Sequence, residues 1–164
     1  MDPDEAMNTH GVGLLRVIFE GLKDWFPPWA RRSAPSNDDG ELPVAVATLL
    51  AAIIRAGTRQ HPQTLAAAAR TLAQLFRIDA DDAWALMGAA RERVSNVSSY
   101  SPVISVLNRH WPARQKKRFT RQMWRVARAD GRISYHQDRL VRSVATQLDV
   151  PDIDVLRTRE RWFL

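Results

Sequence analysis

The stretch from Trp124 to Val150, WRVARADGRISYHQDRLVRSVATQLDV, decides how this chain folds. Apolar residues recur at Trp124, Val126 and Ala127, and again at Leu140, Val141, Val144 and Leu148. Both sets keep a helical spacing, and the Asp130-Gly131 pair between them is a turn signal. The stretch therefore reads as a helix ending at Ala129, a tight corner, and a second helix beginning near Ser134.

The first of these helices starts after Trp111-Pro112 and carries most of the chemistry. Plotted at about 100° per residue, Arg114, Lys117, Arg118, Arg121, Arg125 and Arg128 fall within a sector about 100° wide. Phe119, Met123 and Val126 lie opposite and make the expected core face. No acid occurs in the 37 residues between Glu92 and Asp130. Like charges at i,i+4 repel by a few tenths of a kcal/mol, so a purely structural face would mix in carboxylates. The stripe is a candidate docking surface for an anion: an acidic protein partner first, an anionic membrane or a nucleic acid backbone as alternatives. No base-reading motif accompanies it, so sequence-specific nucleic acid binding is not expected.

The rest of the chain supplies more helices. Residues 12–26 form a short amphipathic helix closed by Pro27-Pro28, with Trp25, Phe26 and Trp29 at its end. It reads as docked on the body or laid on a membrane surface. Residues 30–41 read as a polar linker, which divides the chain into an N-terminal segment 1–29 and a domain 42–164. Val44 to Ala56 is apolar nearly all round, as a central buried helix requires. Helices over Gln63–Arg77 and Ala80–Val94 follow, the second with Asp79 as its N-cap. Asp81 and Asp82 sit in its first turn, where the helix dipole favours acids, so the three acids read as capping and not as a calcium loop. A short helix Pro102–Arg109 and a last one from Val150-Pro151-Asp152 to Trp162 complete about eight helices and no strand. The class is all-α.

The chain also repeats itself. Ile53 to Asp81 follows the plan of Val126 to Ile153 at an offset of 72–73 residues, with Phe76-Arg77-Ile78 over Leu148-Asp149-Val150. Two helix pairs packed about an approximate two-fold axis are expected.

Composition bounds the rest. A chain of 164 residues with 45% hydrophobic content suits one globular domain. It has no cysteine, hence no disulfide and no thiolate metal site. Asp2, Asp4 and Glu5 replace the basic start of a secretory signal, and no apolar run approaches about 20 residues. A soluble cytoplasmic protein, at most peripheral to a membrane, is the expectation. The net charge of +6 is uneven: −3 over residues 1–90 and +9 over residues 91–164. Enzyme signals are missing. Gly11-Val-Gly13 is a lone GxG, His10, His61, His110 and His136 lack metal-ligand spacing, and no nucleophile motif is present. His136 beside Asp138 is a surface pair. No catalytic residue, metal ligand or cofactor is assigned.

Trp124-x-Val-Ala-x-Ala-Asp-Gly-x-Ile and Leu140-Val141-Arg142-x-Val-Ala-x-x-Leu, together with Val94-Ser95 and Leu107-Asn108, resemble the TerB-like family, a tellurite-resistance-associated helical domain also found at the N-terminus of some membrane co-chaperones. The resemblance covers about residues 42–162. It implies a helical bundle whose two corners present carboxylates to a divalent cation, an Asp at each corner and a Glu seven residues on. Such a site suits a hard cation that wants several charged oxygens. This chain departs from the pattern: Asp130 remains, but Gln137, Gly57 and Thr64 stand at the other three positions, with Asp138 nearby. The resemblance thus implies an interaction module in a tellurite, metal or envelope-stress setting with most of the cation site gone. A residual cation sensor at Asp130 is a further alternative.

Overall fold

A computed structural model of the protein describes residues 40–160. The expected helix at 12–26 and most of the linker lie outside the described residues. Every residue from Val44 to Ile54 is buried, so the helix containing them, α1 (Glu41–Ala56), has no solvent-facing stripe along that length. A helix apolar all round can only be stable when surrounded, and α1 packs against five others: α2 (Pro62–Phe76), α3 (Ala80–Val94), α4 (Ser101–His110), α5 (Ala113–Ala127) and α6 (Tyr135–Gln147). The seventh helix, α7 (Asp152–Glu160), packs on α5 and α6. Among the described residues there are seven helices and no strand, an all-α bundle.

Local chemistry sets the ends of these helices. Asp79 accepts a hydrogen bond from the Asp82 backbone N–H at 2.9 Å, the N-cap expected for α3. Partial desolvation, then the neighbouring Asp79 and Asp81 carboxylates, push the Asp82 carboxyl above its ordinary range. Ser134 and Gln137 form a capping box at the start of α6. The helices expected over Gln63–Arg77 and Pro102–Arg109 run from Pro62 to Phe76 and from Ser101 to His110, and two further boundaries differ from expectation. α1 begins at Glu41, inside the segment read as linker, and Glu41 pairs with Arg109 of α4 at 3.0 Å. That acid in the first turn suits the helix dipole, and its partner lies 68 residues away, out of reach of local pattern. α5 ends at Ala127 rather than Ala129, because Arg128 and Ala129 already belong to the corner.

The internal repeat has a backbone signature. Arg77 (φ 53°) and Asp149 (φ 57°) are the only non-glycine residues with positive φ among those described, and they occupy matching places, after α2 and after α6. At the second, the Val150 N–H bonds to the Ala145 carbonyl and the Asp149 N–H to the Thr146 carbonyl, a Schellman ending. Val150 is buried there, as Ile78 partly is at the first. A left-handed residue costs an L-amino acid about 1–2 kcal/mol, and Asp tolerates it better than Arg. Arg77→Gly should therefore stabilise the domain by about 0.5–1 kcal/mol, after allowance for glycine's extra chain entropy. Asp149→Gly should gain less. Urea unfolding midpoints check the order.

Candidate functional site

Two neighbouring regions correspond to the sequence expectations: the corner where the cation ligands of the resemblance would meet, and the basic face of α5.

At the corner, the C-terminus of α1 faces the N-terminus of α6. The last carbonyls of a helix have no partner within it, and here side chains from α6 supply donors. The Ser134 hydroxyl donates to the Ala56 carbonyl at 2.8 Å, while accepting from the Gln137 N–H at 3.1 Å. The Gln137 amide Nε2 donates to the Ile53 carbonyl at 3.1 Å, while Oε1 accepts from the Ser134 N–H at 3.0 Å. Exchanging the amide oxygen and nitrogen would set like against like at both contacts, so the orientation is forced. Gln137 is only 4% exposed. A glutamate there would keep the capping bond but have nothing to give Ile53.

Gly57 belongs to the same arrangement. Its backbone is extended (φ −70°, ψ 153°), open to any residue. A Cβ on it would lie 3.0 Å from Gln137 Nε2 and 3.2 Å from the Ile54 carbonyl. The missing side chain makes room for the amide. Thr64 is buried, Asp130 accepts from the Arg132 N–H at 3.2 Å and so braces its own turn, and Gly131 takes φ 89° as the tight corner demands. Asp138 is not beside them as a spare ligand. It lies 3.0 Å from Arg142 and 3.0 Å from Arg159, close enough for ion pairing though poorly aligned for hydrogen bonds. As a donor set for a hard cation, the corner offers one carboxylate turned to its own backbone, an amide nitrogen facing inward, and a glycine. These residues do not fit such an ion. Among the described residues no three His, Cys, Asp or Glu side chains come together as a metal group.

The core face of α5 is as the periodicity predicts. Phe119, Met123, Trp124, Val126 and Ala127 are all fully buried, and Trp111 meets Phe119 edge-on at 5.2 Å between ring centres. Trp124 contributes through its apolar area, since its buried indole N–H has no acceptor among the described residues. Fixing that face leaves Arg114, Arg118, Arg121 and Arg125 exposed, with Arg128 half-buried at the corner. Lys117 differs from the other five. Its ammonium pairs with Asp154 of α7 at 2.7 Å, a partly exposed contact worth about 0–1 kcal/mol. The stripe thus keeps five guanidiniums without an ion-pair partner among the described residues. From Arg114 to Arg128 it runs about 21 Å at 1.5 Å per residue.

Gln137→Glu should destabilise the domain by about 1–3 kcal/mol at neutral pH, because it buries a carboxylate against an unpaired carbonyl. The folded state would hold that carboxyl's proton more tightly than the unfolded chain does. The deficit should therefore be full above the raised folded pKa and shrink as pH falls through it. Chemical unfolding of both proteins across pH 4–8 checks this, and an unchanged midpoint at pH 7 would show that the amide donor is dispensable.

A family model described as "Tellurite resistance protein TerB" matches residues 43–160. No curated protein and no solved structure matches the chain. No helix among the described residues is long and apolar enough to cross a membrane. The family match takes in all of α2 to α7 and nearly all of α1, so the chain belongs to the TerB family.

Proposed function

We propose that this TerB-family domain is a non-catalytic interaction module that docks the acidic surface of another protein through α5. One observation carries the reading: Arg114, Arg118, Arg121 and Arg125 stand exposed on one face with no carboxylate answering them among the described residues. Arginine suits the task, since its planar fork binds carboxylates in a bidentate manner and is weakly hydrated. A row about 21 Å long is matched by an acidic face of similar length and not by a single small ion. The family's description sets such a module in tellurite resistance, and a cytoplasmic role in metal or envelope stress is the setting we infer. The cation site implied by the family pattern is replaced, in this reading, by the neutral Ser134–Gln137 contacts to α1.

Retention on immobilised poly-L-glutamate tests the stripe. The wild type should bind at about 0.1 M salt and elute as salt rises, because screening at that ionic strength sets in at about 10 Å. The Arg114→Glu/Arg118→Glu/Arg121→Glu variant should elute at markedly lower salt. Equal retention of both proteins would remove the stripe, and tighter binding to anionic vesicles or duplex DNA than to poly-L-glutamate would reassign its partner.

Folding controls the result. Arg121→Glu alone places opposite charges at i,i+4 with Arg125, so it should hold or raise stability by about 0.3–0.5 kcal/mol while weakening retention. Millimolar Ca²⁺, Mg²⁺ or Mn²⁺ should leave the wild-type Tm unchanged. A saturating cation at 100 times its Kd would instead add about 2.7 kcal/mol.

A further inference from the structure

Between α2 and α5 runs an open groove of about 670 Å³. Gln63, Arg70 and Gln74 wall it on the α2 side, and Gln122, Arg125 and Arg128 on the α5 side. No carboxylate lines it. Gln122 is more than nine-tenths buried (8% exposed), yet its carboxamide makes no hydrogen bond to any described residue. The one hydroxyl in the groove, on Thr71, already donates to the Ala67 carbonyl at 2.9 Å. The groove therefore offers three guanidiniums and an amide whose donor and acceptor have no partner among the described residues.

We propose that this groove binds an extended acidic peptide, the segment by which an acidic partner engages the domain; the assignment rests on the reading of the α5 stripe given above. Length, floor and chemistry agree on the occupant. Gln63 and Gln74 lie 11 residues apart on α2, which is about 16 Å of helix. An extended chain advances about 3.3 Å per residue, so about five residues span the wall. The floor is Ala66, Ala67 and Ala129 with Val126 as its largest apolar side chain, which leaves no pocket for the bulky anchors of a docked helix. No aromatic ring lines it, so bases have no stacking platform. A peptide amide can meet Gln122 with donor and acceptor at once, whereas a phosphate, having acceptors only, leaves the glutamine oxygen unpaired. Carboxylates on either side of that amide reach Arg70 across the groove from Arg125 and Arg128.

Fluorescence anisotropy with a fluorescein-labelled hexapeptide of alternating Asp and Glu, added to the full chain at about 0.15 M salt, tests the site. The screening length there is about 8 Å, which separates local from distant charge. Arg70→Glu, on an exposed position outside the stripe, should weaken binding about tenfold or more. Gln122→Ala should weaken it about threefold, and Arg114→Glu/Arg118→Glu/Arg121→Glu by less than that. Arg70→Glu should still be retained on poly-L-glutamate, a polymer long enough to lie along the stripe. Hexapeptide binding unchanged by Arg70→Glu, or lost equally with the stripe variant, would overturn the groove while leaving the stripe in place. Poly-L-glutamate retention unaffected by the stripe variant would instead sink the reading on which the groove depends. Hexathymidylate that competes as well as the peptide and ignores Gln122→Ala would overturn the peptide assignment.

Discussion

The contact between the C-terminus of α1 and the N-terminus of α6 sets the rest of the structure. α1 is buried from Val44 to Ile54, so the Ile53 carbonyl near its end has little water to satisfy it, and the Ala56 carbonyl is partly buried. An unanswered buried carbonyl costs about 1–3 kcal/mol. Ser134 and Gln137 answer these two carbonyls while capping their own helix, so two hydrogen bonds join the first half of the repeat to the second and two more close the cap. The Gln137 amide nitrogen donates and its oxygen accepts, while the Ser134 hydroxyl does both. The corner is therefore specific to an amide, and the absence of a Cβ at Gly57 is part of the same geometry.

Other helix ends are handled in the same way. Arg55 of α1 donates to the Val94 carbonyl at the end of α3, at 3.1 Å, and Asn108 of α4 donates to the Gln147 carbonyl at the end of α6, at 3.0 Å. Three helix C-termini thus receive side-chain donors from a neighbour in addition to the bonds of their own following residues. Such cross-ties fix the relative register of helices whose apolar faces alone would permit some sliding. α5 packs against α1, α2, α6 and α7 with one face committed to the core, and its arginine-bearing face is exposed.

Periodicity made much of this legible. Phe119, Met123 and Val126 identify the buried side of α5 from spacing alone, and the 72–73-residue offset aligns Arg77 with Asp149, the two left-handed residues. What spacing does not show is who meets whom across the fold. Lys117 counts as one more free cation until α7 brings Asp154 against it, and Asp138 counts as a possible ligand until Arg142 and Arg159 flank it. Arg70 lies on another helix, 44 residues before Arg114, and nothing local marks it as facing Arg125 over a groove. Gln122 looks like an ordinary polar residue between Arg121 and Met123, and only its burial without a partner sets it apart. Gln137 is the instructive case: from sequence it reads as a missing ligand, and in the fold it is a hydrogen-bond donor with its own acceptor.

That substitution also bears on the stripe. A carboxylate at position 137 would add negative charge at the start of α6, nine residues along the chain from Arg128. Asp138 and Asp154 are engaged by Arg142, Arg159 and Lys117, and so do not pair with the arginines of the row. The corner is closed by neutral groups, while α5 presents a strongly positive face. Placing a carboxylate at position 137 would disturb the packing of α1, because the Gln137 amide donates to the Ile53 carbonyl and occupies the space that a Cβ at Gly57 would need.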